Sequence, residues 1–305
     1  MTKKKIETLI EDVNEVLLNG AELTDEQAAQ FGNIMAVMIK SRLAPSNYKP
    51  GLRMSNIGSP CEKKLYGEIN HSEEKESLTA DTKLKFLYGD MIEELMLFLA
   101  EVSGHHVTGR QGELEIAGIK GHKDCIIDGT LLDVKSASSY SFAKFRDGKL
   151  RNDDPFGYYT QIQSYLEASQ DDKELVDKGR AGFWVIDKTL GHQCLDFHAR
   201  EEFHFEKAYE ARKASIASET VPERSFTPIA DGYEKKLKDG TKEFVPNGNE
   251  KLPMFCSYCS VKQWCHPGLR TFLSSRGPSY YTKIVKEPKM LEVDRDGNKI
   301  EKSMA

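Results

Sequence analysis

No apolar run in this chain of 305 residues approaches the roughly 18 consecutive residues that a membrane-crossing helix needs, which excludes a helical span. Positive charge is not in excess either. Lys and Arg number 43 against 48 Asp and Glu, for a formal net charge of −5. No global field draws such a chain to nucleic acid, so any binding of that kind has to rest on local basic clusters. The opening MTKKKIETLI is basic, but it leads into an amphipathic pattern and not into the apolar core of a signal peptide. The expectation is a cytoplasmic protein with no membrane contact. Cysteine is scarce: six residues, at 61, 125, 194, 256, 259 and 265. In a reducing compartment such spacing points to metal more than to disulfides. What remains, 39% hydrophobic and 30% charged residues, describes an ordinary globular chain long enough for one large domain or two small ones.

The most informative stretch is Gly121–Ser136, GHKDCIIDGTLLDVKS. Asp128-Gly129 stands between two short apolar runs, a hairpin signal, because a type I′ turn needs positive φ at both central positions. A two-residue loop sets the register: Ile127 pairs with Thr130, Ile126 with Leu131, Cys125 with Leu132, Asp124 with Asp133 and His122 with Lys135. Directly paired side chains share a face, roughly 5 Å apart at Cβ. Alternation therefore gathers Asp124, Asp133 and Lys135 on one face. Two carboxylates that close repel unless a cation or a proton lies between them. Oxygen donors with open positions left over suit Mg²⁺ or Mn²⁺. A charged face turned to solvent is the plainer reading of an Asp-Gly hairpin, but three convergent charges favour the metal.

The spacing G-x-x-D, eight residues, then D-V-K resembles motifs of the PD-(D/E)XK nuclease superfamily, in its RecB-like exonuclease branch. That resemblance implies an α/β, restriction-endonuclease-like core with a central mixed sheet flanked by helices. It also implies Asp124, Asp133 and the Val134 carbonyl as metal ligands, and Lys135 as the residue that orients the attacking water.

Residues 4–19 and 24–42 read as two helices, with Leu9, Val13, Val16 and Leu17 on one face of the first. Thr24 with Glu26 and Gln27 opens the second, whose Phe31, Ile34, Met35 and Met38 share a face. They carry no visible chemistry and read as a packing or partner-binding extension, residues 1–50. The helix around Gly89–Ser103 has a polar stripe of Asp90, Glu94 and Glu101, and Glu93 falls off it among apolar residues. A buried carboxylate needs a cation, a basic partner or a proton. In the resembling family this helix supplies a further ligand, so Glu93 is the third metal-ligand and catalytic candidate; a buried ion pair is the structural alternative.

Residues 105–117 read as a strand, and Ala117–Lys120 as a turn. The segment after Tyr140 carries Lys144, Arg146, Lys149 and Arg151 interleaved with Phe142 and Phe145. Cations with aromatics can grip a single strand through phosphates and stacked bases, and a solvated loop fits equally well. Pro155–Ser169 reads as a helix with Gln161 and Tyr165 on one face. Their Q-x-x-x-Y arrangement downstream of D-V-K resembles the motif that helps hold DNA in the same branch. Residues 181–187 and 193–198 read as strands and 201–218 as a helix, with Cys125 and Cys194 as buried thiols. Residues 222–253 show no core pattern, and a hairpin is expected near Asp294–Asn298.

FCSYCSVKQWC places Cys256, Cys259 and Cys265 together, and three thiolates need a fourth ligand. Spacing leaves two candidates open: His266 for zinc, or distant Cys61 for an iron–sulfur cluster. The resemblance favours Cys61, because one N-terminal Cys plus a C-terminal triplet is the iron–sulfur pattern of that branch, similar to CRISPR-associated exonucleases and the AddB nuclease domain. It implies a 4Fe-4S cluster joining the two ends of a nuclease core at 51–225 through a cluster-binding segment at 226–270, ahead of a charged tail at 271–305. The expected function is metal-dependent exonuclease action on single-stranded or end-frayed DNA, with protein partners in recombination, replication or repair. The competing readings are a non-catalytic DNA-end-binding scaffold and a zinc-stabilised endonuclease.

Overall fold

The structure is a computed structural model and describes residues 4–45, 49–202, 204–275, 277–295 and 297–300. In chain order its helices and strands begin with α1 (Leu9–Asn19), α2 (Asp25–Leu43), α3 (Met54–Ile57), α4 (Glu62–Asn70) and α5 (Ala80–Val102). Next come β1 (Val107–Thr108), β2 (Gly112–Ile116), β3 (Ile119–Lys123), β4 (Cys125–Ile127), β5 (Thr130–Ala137), α6 (Ser139–Arg146), α7 (Tyr158–Ala168), β6 (Arg180–Asp187), β7 (Gln193–Ala199) and α8 (Phe205–Ala217). The last are β8 (Ile229–Lys236), β9 (Lys242–Lys251), α9 (Met254–Ser257), α10 (Lys262–Cys265), β10 (Arg270–Ser274), β11 (Gly277–Lys283) and β12 (Leu291–Val293). Among the described residues no helix is long and apolar enough to cross a membrane.

The chain divides into two compact units, Met1–Gly58 with Leu78–Ala211, and Ser59–Ser77 with Arg212–Ala305. These are not the boundaries expected at residues 50 and 225. The first unit holds a mixed sheet in the order β1-β4-β5-β6-β7, in which β5 and β6 run parallel and the other neighbours antiparallel. A parallel pair cannot be closed by a tight turn, and α6 and α7 fill the crossover between β5 and β6. Alternation along β5 and β6 gives the sheet two apolar faces. Leu131, Ala181, Phe183 and Val185 pack with Phe142, Phe145, Ile162 and Leu166 on one side. Leu132, Val134 and Trp184 pack with Met96, Leu97, Ala100, Ile6, Leu9 and Val13 on the other. A mixed sheet flanked by helices is therefore present. Ile6, Leu9 and Val13 make the start of the chain part of this core, not an extension to it.

The turn at Asp128-Gly129 forms with φ of 49° and 81°, and three expected rungs are in place: Ile127 with Thr130, Ile126 with Leu131 and Cys125 with Leu132. The next two are not. The ladder stops at Cys125, and residues 119–123 leave to pair with β2, which puts His122 opposite Glu113 instead of Lys135. The strand expected over 105–117 is broken into β1 and β2 by Gly109, at φ 61°. The helix around Glu93 starts at Ala80, well before Gly89. Its polar stripe is matched by cations: Arg42 pairs with Asp90, and Arg110 reaches Glu94 at 2.9 Å and Glu101 at 2.8 Å.

The second unit holds an antiparallel sheet in the order β12-β10-β11-β9-β8. β8 and β9 occupy the stretch 222–253 in which no core pattern was expected. Most of their residues are exposed on both faces, so no alternation of apolar residues marks them.

Candidate active site

Asp133 lies in the middle of β5, 1% exposed, in register with Phe183 on β6. Lys135 follows on the same face and forms an ion pair with Oδ1. Oδ2 has no hydrogen-bond donor among the described residues. A buried carboxylate oxygen left without a partner is costly, and it marks a position where a cation would restore what water supplied.

Asp124 comes to this point by an unexpected route. It lies outside the strand ladder, and its carboxylate Oδ2 accepts the Val134 backbone N–H at 2.9 Å, replacing the missing rung. In an extended strand the N–H and C=O of one residue face the same side. The Val134 carbonyl therefore faces the gap left where β4 ends. Burial and the neighbouring Asp133 charge push the Asp124 carboxyl well above the usual carboxylate range, against the pull of Lys135.

Glu93 is delivered by α5. Burial first, and then the Asp133 charge, raise its carboxyl to about 7, although Gln111 Nε2 donates to Oε1 at 2.6 Å. Gln111 was not among the expected site residues. Its backbone N–H also donates to the Asp124 carbonyl at 3.1 Å, so it ties Glu93 to Asp124. It does this from a left-handed conformation, φ 50°, which a non-glycine residue adopts only where the surroundings hold it. No local pattern in the sequence announces it. Tyr158 is the other addition: its ring centroid lies 5.3 Å from Lys135 Nζ. Burial would discharge Lys135, but Asp133 and Asp124 outweigh it and hold the ammonium charged, its pKa above the usual lysine value.

Gln161 and Tyr165 of α7 are buried, 7% and 3% exposed, and Gln161 Nε2 donates to the Tyr165 hydroxyl at 2.8 Å. Burial and the nearby Asp133 charge raise the Tyr165 phenol to about 12. Lys144 and Arg146 lie on α6, not on a loop. Lys144 pairs with Asp153 at 2.6 Å and Arg146 with Asp147 at 2.9 Å. The interleaved Phe142 and Phe145 are buried in the core, so they offer no surface on which bases could stack.

Cys61, Cys256, Cys259 and Cys265 all belong to the second unit. Cys61 precedes α4, and the other three lie in or beside α9 and α10. Burial raises the Cys256 thiol to about 11, with Cys61 and Cys265 adding to the rise, and burial raises Cys259 to about 12. His266 is buried, and burial followed by the charges of Arg224 and Lys63 lowers its pKa, which keeps the ring neutral. Cys125 and Cys194 lie on β4 and β7 of the first unit, both buried as expected. Among the described residues, no three His, Cys, Asp or Glu side chains converge closely enough to form a ready metal-binding set. What fits a metal is the kind of donor. Hard oxygens with one unpartnered carboxylate oxygen suit Mg²⁺ or Mn²⁺ in the first unit, and soft thiols suit iron or zinc in the second.

The sequence matches no protein-family model and no curated protein. An alkaline exonuclease from Laribacter hongkongensis is similar in structure at a TM-score of 0.38 and 14% identity, over 60% of this chain and 91% of that one. A protein designated SSO0001 is similar at a TM-score of 0.37 and 13% identity, over 63% of this chain and 87% of that one.

Proposed function

We propose that this chain is a metal-dependent nuclease that hydrolyses phosphodiester bonds of DNA, acting as an exonuclease on single-stranded or end-frayed substrates. The observation that carries the reading is the buried Asp133 carboxylate, with Oδ2 unpartnered among Asp124, Glu93 and a charged Lys135. A carboxylate oxygen buried without a donor is costly, and a bound cation removes that cost. Asp124, Asp133, the Val134 carbonyl and Glu93 would hold Mg²⁺ or Mn²⁺. That ion supplies Lewis acidity to the phosphate and to the attacking water.

The protein's own groups divide the remaining work. Lys135, kept protonated by the two aspartates, is unsuited to act as a base. It orients water through an N–H donor and offsets negative charge gathering on the phosphate oxygens. Glu93 holds a proton near neutrality without a cation and must release it when one binds. Gln161 and Tyr165 support the floor of the site. In the second unit, Cys61, Cys256, Cys259 and Cys265 would hold a 4Fe-4S cluster; a zinc site using His266 is the alternative.

The test is incubation of the full chain with end-labelled single- and double-stranded DNA, linear and circular, in Mg²⁺, Mn²⁺ or EDTA. Cation-dependent loss of label from linear DNA, with circular DNA spared, is the expected result. No cleavage with either cation would overturn the reading.

A further inference from the structure

A cleft of about 1130 Å³ opens beside the acidic cluster, with Glu93 and Asp124 in its wall and the length of α2 along its side. The cleft exceeds the roughly 300–1,000 Å³ that takes a drug-sized ligand, so it has room for more than one nucleotide. Its electrostatics are wrong for gripping phosphate. Glu26, Asp90, Glu94, Glu93 and Asp124 line it, and the cation in the lining, Arg42, is held by Asp90 through two hydrogen bonds. A polyanion can pass here only by turning its neutral parts to this wall.

The α2 side offers what neutral bases need. Ile34, Val37 and Met38 form an apolar strip at helical spacing, flanked by Gln30, Asn33 and Ser41. Among the described residues those three polar side chains have no hydrogen-bond partner, which leaves amide and hydroxyl groups for base edges. The helix is well made, closed at its start by a capping box between Thr24 and Gln27, yet it buries none of its 19 residues. Val37 is 64% exposed. A capped helix whose exposed Val37 and half-buried Ile34 and Met38 face a cleft that leads to the reacting site is built to receive something there.

We infer that α2 is the base-binding wall of the nuclease, which rests on the function proposed above: unpaired bases of the DNA end lie on Ile34, Val37 and Met38, and only the phosphate to be cleaved reaches Glu93 and Asp124, where the cation proposed above would offset its charge. Bases inside a duplex keep their faces stacked on one another and cannot use such a strip, so this wall selects single-stranded ends.

The experiment compares the full-length protein with Val37→Ala/Met38→Ala, a change that favours the helix and touches no catalytic group. The substrates are an end-labelled single-stranded oligonucleotide and the same oligonucleotide made abasic at its termini. For the unaltered protein, removing the bases should raise KM about tenfold. The variant should show that raised KM on the normal oligonucleotide, no further rise on the abasic one, and kcat within about twofold of the original. The slope of log KM against log salt should not change, since no phosphate contact is lost. Fluorescence anisotropy of the same oligonucleotides in EDTA tests the wall independently of cleavage. Binding that prefers bases without any cleavage would overturn the nuclease reading and leave the wall standing. Equal KM and affinity for normal and abasic DNA would overturn the wall, as would a dimer of the unaltered protein that the variant abolishes, because a second copy would then be the occupant.

Discussion

The Asp124 carboxylate accepts the Val134 backbone N–H at 2.9 Å, one residue beyond the buried Asp133. A side chain thus completes a rung that the backbone of β4 abandons. The hydrogen bond fixes Asp124 where burial and the Asp133 charge both disfavour its ionised form. Asp124→Asn keeps this bond, because the amide oxygen accepts it equally well, and removes one of the two opposed charges. The variant should melt higher than the original in the absence of metal, because burial and the Asp133 charge disfavour the ionised Asp124 carboxylate. It should also lose cleavage by on the order of a thousandfold, since a ligand charge is gone. Thermal melting and single-turnover cleavage on one preparation check both. A variant that cleaves at the original rate would remove Asp124 from the metal site.

Glu93 gives the site a pH dependence whose sign is fixed. Its carboxyl titrates near 7 in the folded protein, raised by burial and then by Asp133, against an ordinary value of 4.5. Between those values the folded chain keeps a proton that the unfolded chain has released. Stability without metal should therefore fall as pH rises across that window, by on the order of 3 kcal/mol, and level off above it. Burial and Asp133 shift Asp124 in the same direction and steepen the fall. Mg²⁺ competes with these protons, so the gain in melting temperature on adding it should be larger at pH 8 than at pH 5.5. Glu93→Gln should flatten part of the metal-free slope. An unchanged slope in that variant would mean the proton is held elsewhere.

The shared face of Asp133 and Lys135 could be read from the sequence, because the turn at Asp128-Gly129 admits one register and alternation does the rest; the rung expected to bring Asp124 there does not form. The remaining rungs could not be read. Residues 119–123 alternate equally well whether they pair with β5 or with β2, and only the partner Gly112–Ile116 decides. Phe142 and Phe145 read as loop aromatics because α6 is too short to display a helical period, though both point into the core. Gln111 carries no signal at all, since its role follows from a backbone conformation and not from its neighbours in sequence. For α2 the apolar face was visible, but nothing local distinguishes a face that packs from one that lines a cleft.

The first helix offers a direct check on the core. Leu9 is fully buried, and Val13 packs with it against Met96, Leu97 and Ala100 of α5 and Trp184 of β6. Leu9→Ala should destabilise the protein by about 2–5 kcal/mol, the range for a leucine deleted from a packed interior. An equivalent change at Leu18, 81% exposed on the same helix, should have little effect. Chemical denaturation of both variants checks this. Equal, small effects would mean α1 is the peripheral extension that its sequence suggests.

Cysteine substitution tests the second unit. Its two chain segments, 59–77 and 212–305, are held together without any cluster by polar contacts: Arg212 with Glu62 at 2.9 Å, Ser260 with Glu68 at 2.6 Å, and buried Lys262 with half-buried Glu76. Trp264 also packs so tightly on Gly67 that a Cβ there would come within 2.9 Å of the indole. Ligation of Cys61 together with Cys256, Cys259 and Cys265 would add a covalent closure of the long chain between them. By the chain-entropy model that is on the order of 4–5 kcal/mol, comparable to the whole stability of a marginal domain. If the proposed cluster is present, anaerobically purified protein should be brown and contain iron and sulfide. Cys61→Ser should lose the colour and admit protease within 59–77 and 212–300 before 78–202. Cys125→Ser and Cys194→Ser, altered in strands of the first unit, should stay coloured. A colourless original protein that contains zinc, with Cys61→Ser melting normally and His266→Ala losing the metal, would replace the cluster by a local zinc site.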